Sequence, residues 1–203
     1  MINTENLIRE IETLASNVAI HPAWGIAHCG RVEELAKEIA RKEGKDIDVA
    51  CLRVAALLHD FGAYPKYRKE GIDHAERSVE VAEEELQKRA FAEDKVRLVK
   101  TIIAGHMFYS EPDKTILEAV VFHDADILDF LGMIGIARVY SIIGIDDWAK
   151  NMTEAYDLLW KFKNELPAKI ITQTAKNLAD ERVSEMDTFF TKLDSETFGK
   201  KYL

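Results

Sequence analysis

The stretch Ala55–Gly62, AALLHDFG, is an apolar run that ends in His59 and Asp60 just before a glycine. A helix arriving there with Ile47, Cys51, Val54, Ala55 and Leu58 inward starts both polar side chains in low-dielectric surroundings, where an uncompensated group is costly. Imidazole nitrogen and carboxylate oxygen are both ligands for a divalent ion, and Gly62 suits the helix C-terminus, letting the chain turn away from a site. The plain alternative is a His-Asp pair satisfied by itself or by a backbone carbonyl. Two further helices add His28 and Asp126, both expected to face inward. His28, His59, Asp60 and Asp126 then converge as two nitrogen and two carboxylate ligands, a set that leaves positions open for water and substrate. With no thiolate, it favours manganese, iron, magnesium or zinc in a catalytic rather than a closed structural site.

The elements that must position these groups are helices. Leu7, Ile8, Ile11, Leu14, Ala15 and Val18 recur at three- and four-residue spacing, with Asn3 or Thr4 as N-cap, and His21-Pro22 breaks the pattern. A second helix runs from about Ala23 to Glu43 and ends at Gly44, with His28, Val32, Leu35, Ala36 and Ile39 on one stripe. Asp46 is placed to cap the helix leading to His59. The loop Ala63–Gly71 holds Pro65, Lys66, Arg68 and Lys69 and is the most basic short loop of the chain. His74 opens a helix with the stripe Val79, Ala82 and Leu86, and His106 ends one with Val96, Val99, Ile102 and Ile103. Thr115–Leu131 is apolar on most sides yet carries His123, Asp124, Asp126 and Asp129, carboxylates that demand compensation. After a glycine-punctuated segment from Gly132 containing Arg138, the residues Trp148 to Trp160 mark a helix that ends before Pro167, and a last long helix carries its inward residues from Ile171 to Leu193. No strand pair or repeat stands out, so the chain reads as an all-α bundle. The tryptophans Trp24, Trp148 and Trp160 are expected in the core, and His21 at the surface.

Length and composition narrow the function. A chain of 203 residues, 47% apolar, supports one domain with a sizeable core, here taken as residues 1–203 with a site-bearing core over about 23–140 and C-terminal helices over about 146–196 packed on it. Cys29 and Cys51 have neither zinc-knuckle nor disulfide spacing, which fits a reducing compartment, and the first residues lack the pattern of a signal peptide. A cytoplasmic protein is expected, with no membrane span. A net charge of −9 argues against general nucleic-acid binding, while a small phosphorylated ligand remains compatible with local basic residues.

The order His28, His59-Asp60, Asp126 resembles the HD-domain metal-dependent phosphohydrolase superfamily, named for its His…His-Asp…Asp ligands. The likeness extends to AHCGRVEELAKEIA around His28, to HAERSVEVA, to LEAVVFHDADILDFLGMIGIAR and to the tail TQTAKNLADERVSEMDTFF, which is similar to the small single-domain bacterial branch. Many relatives carry a His-Asp pair shortly before the first ligand, where this chain has Trp24-Gly25. The resemblance implies a single-domain helical bundle of the HD-domain type in which metal-bound water attacks phosphorus. It selects Asp126 over Asp124 of the same Asp-Ala-Asp and leaves Asp124 behind the ligands. It gives Asp60 a second role in orienting the water, and makes His74 and His106 helpers that hold phosphate or a second ion. Lys66 and Arg68, then Arg31, Lys114 and Arg138, are the candidates for binding substrate phosphate.

Three readings compete. The first is a hydrolase of a phosphate ester or anhydride, plausibly of a nucleotide, an identity that comes with the resemblance alone. The second is a di-iron oxygenase of the HD type, built on His28, His59, Asp60, His74, His106 and Asp126. The third is a sensor that binds metal and nucleotide without turnover. Oligomeric state is not legible in the sequence.

Overall fold

Two helices are buried on nearly every side, and the rest of the molecule is arranged to cover them. Helix α3 (Val49–Leu58) buries every residue from Cys51 to Leu58 except Arg53, and α6 (Leu117–Leu128) buries every residue from Ala119 onward. Such all-round apolar surface has no solvent face to offer, so both become the centre of the bundle. Around them stand α1 (Thr4–Val18), α2 (Ile26–Lys42), α4 (His74–Lys88), α5 (Glu93–Ala104), α7 (Gly132–Ser141), α8 (Met152–Glu165) and the long α9 (Gln173–Glu196). This computed structural model describes residues 4–145 and 147–203, the Thr4 side chain excepted, so the cap expected at Asn3 or Thr4 lies outside the described residues. Among the described residues there is no strand, and the fold is all-α.

Helix α2 packs on both α3 and α6, while α5 joins α3, α4 and α6. Phe61, Phe122, Ile11, Ile39, Leu52 and Leu58 are among the fully buried core side chains. Of the C-terminal helices, α9 packs directly on α6 and α2, and α7 packs on α8 and α9. Trp148 and Trp160, expected in the core, are 39% and 45% exposed: Trp148 stacks on Phe130 and Trp160 packs against Phe190, each leaving part of its ring to solvent. His21, expected to be simply exposed, stacks on Trp24 with ring centroids 3.7 Å apart and accepts the Ala23 amide at Nδ1.

Three details fix the ends of the central helices. The cap of α3 is Asp48 rather than Asp46: its carboxylate accepts the Cys51 amide at 2.9 Å, and its own amide is held by Glu118 of α6. Gly62 lies in a short 3-10 turn, Phe61–Ala63, that docks flush on the first turn of α4. A Cβ there would fall 2.1 Å from the His74 carbonyl oxygen, so glycine is required for close approach rather than for a helix-ending twist. Asp124, expected behind the ligands, instead accepts the Ile171 and Thr172 amides and the Thr172 hydroxyl, all within 2.8 Å, tying α6 to the start of α9. Two residues from Asp126 on a helix, it projects about 200° away from it.

Candidate metal centre

Each histidine of the site owes its place to a helix end. His59 is the residue after the last turn of α3, and its Nδ1 donates to the Ala56 carbonyl at 2.8 Å, one of the carbonyls that a helix C-terminus leaves unpaired. His106 lies just past the end of α5, its Nδ1 donating to the Ile103 carbonyl at 2.7 Å. His28 lies in the first turn of α2, and its Nδ1 meets the Asp129 carboxylate at 2.7 Å. In all three rings Nδ1 is therefore the donor, which leaves Nε2 as the free acceptor or ligand atom.

Those Nε2 atoms converge with two carboxylates. His28 Nε2 lies 3.1 Å from His59 Nε2, 3.3 Å from Asp126 Oδ1 and 3.6 Å from Asp60 Oδ2, and His59 Nε2 is 3.2 Å from Asp60 Oδ2. Asp60 Oδ1 faces the other way, 3.8 Å from His106 Nε2. Ligand atoms of Asp60, His74 and His106 form a second group lying within 4.8 Å of one another, so Asp60 serves both clusters. His106 Nε2 is buried and has no hydrogen-bond partner. A buried ring nitrogen without a partner, beside an acidic oxygen, fits a cation ligand better than a satisfied core histidine.

The electrostatics say that the site lacks positive charge. Burial would push the Asp60 carboxyl up, but His59, His28 and His106 hold it well below the usual carboxylate range. Asp126 is lowered against the same burial by its bond to His28. Burial opposes protonation of His59, yet Asp60 and Asp126 raise that ring to about 9, so a proton occupies the place between the acceptors. His106 goes the other way: burial and the neighbouring His59 charge lower it to about 4, which keeps its Nε2 lone pair available. The donor set of nitrogens and oxygens fits manganese, iron, magnesium or zinc.

Around this core the other sequence candidates are spread. Lys66 and Arg68 are exposed on the loop just beyond the 3-10 turn, Lys66 resting 5.0 Å from the Tyr67 ring centroid. Lys114 is exposed and pairs with Glu111 at 2.9 Å. Arg31 and Arg138 point at Asp129: Arg31 grips it with Nε and Nη2 at 2.8 and 2.9 Å, and Arg138 reaches Oδ2 at 3.0 Å. Arg138 also donates to the Ala23 and Asp129 carbonyls and stacks 4.3 Å from the Phe130 ring centroid, which leaves it 4% exposed. His123 donates from Nδ1 to the Gly105 carbonyl and so braces the turn that carries His106. His74 sits at the rim with Tyr109, whose hydroxyl donates to Asp73 at 2.8 Å; Asp73 in turn caps α4. Asp129 and Tyr109 escaped sequence reasoning as site residues. For Asp129 a signal existed, since His28/Arg31 and Asp126/Asp129 are both spaced to share a helix face.

A family model for the HD domain matches residues 25–131, just over half of the chain, and that span contains every cluster residue. The chain belongs to the HD-domain family. Among solved structures, Bacillus subtilis YpgQ is 26% identical with a TM-score of 0.71, covering 95% of this chain and 96% of that one. A predicted HD superfamily hydrolase from an uncultured Thermotogales bacterium is 30% identical with a TM-score of 0.63, over 95% of this chain and 90% of its own. YpgQ has also been crystallised with ADP, a structure 24% identical to this chain with a TM-score of 0.66, covering 96% and 97% of the two. No curated protein matches the sequence. This HD domain therefore has the fold of HD-superfamily hydrolases and a His/Asp cluster able to hold a metal ion.

Proposed function

We propose that this HD-domain protein is a metal-dependent phosphohydrolase that cleaves a phosphate ester or anhydride of a small substrate, with nucleotides as the favoured class. The supporting observation is the meeting of His28 Nε2, His59 Nε2, Asp60 and Asp126 at 3.1–4.0 Å with the Nδ1 of both rings committed elsewhere. Such a set is an array of acceptors that calls for a cation. A divalent ion held by those four residues supplies Lewis-acid neutralisation of phosphoryl oxygens and lowers the pKa of water. His74, on the rim, is suited to donate to a phosphoryl oxygen or to protonate a leaving group. Lys66 and Arg68 bring exposed positive charge to the loop that follows His59, Asp60 and the 3-10 turn. Arg31, Arg138 and Lys114 serve phosphate less well, since their donors are engaged by Asp129 and Glu111. The ADP complex of YpgQ supports a nucleotide.

A second reading rests on the group Asp60, His74 and His106, which gives room for a second ion and with it a two-metal hydrolase or di-iron chemistry. The two buried free cysteines support a reducing, cytoplasmic setting for either reading. No described helix is long and apolar enough to cross a membrane. The deciding experiment is elemental analysis of gently purified protein followed by phosphate release across a nucleotide panel, with Asp60→Ala as control. Metal-dependent release that the variant lacks supports the hydrolase. An iron pair with no release from any nucleotide would replace it with the second reading.

A further inference from the structure

His59 and His106 take their orientation locally: each lies just past a helix end and donates from Nδ1 to the carbonyl three residues back. His28 has no such neighbour. It lies in the first turn of α2, where the Gly25 carbonyl already accepts the His28 and Cys29 amides. Its Nδ1 takes its acceptor from another helix, Asp129, the residue that ends α6 and lies 101 positions away in the chain.

Asp129 is fully buried and ringed by donors. Its Oδ1 accepts Arg31 Nε at 2.8 Å, while its Oδ2 takes Arg31 Nη2 at 2.9 Å, Arg138 Nη1 at 3.0 Å and His28 Nδ1 at 2.7 Å. A carboxylate so enclosed is an acceptor only, so the proton of that contact belongs to His28. Two arginines beside it also cancel its charge locally, leaving Asp60 and Asp126 as the anions that face the histidine Nε2 atoms. Three residues from Asp126 on the same helix face, Asp129 stands behind the ligand side of His28.

We propose that Asp129, clamped by Arg31 and Arg138, is a positioning residue that fixes the Nδ1–H tautomer and the orientation of His28, so that its Nε2 lone pair is presented to the cation before binding. This rests on the metal-site reading above for the cation, but not for the tautomer. It also moves Arg31 from the phosphate-binding candidates to the support of His28. Outer hydrogen bonds of this kind typically govern roughly 10–100-fold in metal affinity.

The test uses the full chain labelled with 15N-histidine. In metal-free wild type at mildly alkaline pH, the ring spectrum of His28, assigned with His28→Gln, is expected to show protonated Nδ1. Asp129→Asn is expected to weaken manganese binding, followed by the electron-spin resonance of the free ion, by 10–100-fold and to let the Nε2–H form of His28 appear. Asp129→Asn/Arg138→Gln, which removes the buried cation with its partner, should do the same if the single variant folds poorly. A wild-type His28 carrying its proton on Nε2 overturns the proposal without any variant. A folded variant with manganese affinity within threefold of wild type and an unchanged tautomer overturns it too. A wild type that binds no manganese, with His28 still the Nδ1–H form, removes the manganese site alone and leaves the role of Asp129 standing.

Discussion

His28 Nε2 and His59 Nε2 stand 3.1 Å apart, each on a ring whose Nδ1 is already a donor to another group. Two neutral rings so arranged would point lone pair at lone pair, with carboxylate oxygens of Asp60 and Asp126 alongside. One positive charge has to lie among them. A proton serves in the metal-free protein, and a divalent ion held by all four groups would serve better by satisfying four acceptors at once.

Metal should therefore stabilise the fold. At a manganese concentration 100 times its Kd the gain is about 2.7 kcal/mol, visible as a rise in Tm over chelator-treated protein. Asp60→Ala, which removes an oxygen from both clusters, should abolish the rise. A wild type whose Tm ignores manganese, iron(II), magnesium and zinc alike would dismiss the site.

The same geometry sets a pH dependence. Burial disfavours charge on His59, but Asp60 and Asp126 overcome it and raise the ring from 6.5 to about 9. A histidine raised on folding contributes its stability in full below pH 6.5 and loses it as pH climbs through 9. For a shift of that size the loss is on the order of 3 kcal/mol. Metal-free protein should accordingly weaken from pH 6.5 to 9, whereas metal-loaded protein, where the ion replaces the proton, should not. Urea unfolding at the two ends of that window, with and without chelator, checks it; identical slopes in both states would refute the shared-charge account.

Changing Lys66 and Arg68 together to alanine should raise KM several-fold while leaving stability within about 0.5 kcal/mol, since both are exposed loop side chains. An unchanged KM with unchanged salt dependence would return them to ordinary surface.

Gly62→Ala should cost about 1–3 kcal/mol through overpacking. The added methyl would meet the His74 carbonyl at 2.1 Å and the Ser78 amide nitrogen at 2.8 Å, backbone atoms that yield only if α4 shifts. Chemical denaturation reads this directly, and a variant as stable as wild type would show that the turn and α4 are not in such close register.

Much of this was legible because it follows from local pattern. His59, Asp60 and His106 fall at the ends of apolar stripes, and a histidine at a helix end has its orientation supplied by the helix itself. Helix periodicity likewise gives the all-α bundle and the buried face of His28. What stayed hidden depends on partners distant in the chain. Asp129 reads as one more costly carboxylate until α2 and α7 bring Arg31 and Arg138 to it. Asp46 is the cap that the sequence suggests, but it is Asp48 whose carboxylate takes the Cys51 amide and whose own amide is held by Glu118 of α6, a partner 70 residues away. Asp124 differs from Asp126 by a rotation about α6 that a helix apolar all round does not reveal, because no polar face marks which side meets α9.

His74 distinguishes helper from ligand. It opens α4 at the rim with its side chain 28% exposed, its Nδ1 3.8 Å from Asp73, and it shares a cluster with Asp60 and His106 but not with His28 or His59. His74→Ala should thus leave the first ion in place, because His28, His59, Asp60 and Asp126 are untouched, while turnover falls by about 10²-fold or more if the ring moves a proton in the reaction. Metal content measured beside kcat separates the roles. A phosphate donor or general acid leaves the ion count unchanged, whereas a ligand to a second ion takes the count from two toward one. Normal kcat with normal metal content would exclude His74 from the chemistry and leave it as a rim residue beside Tyr109.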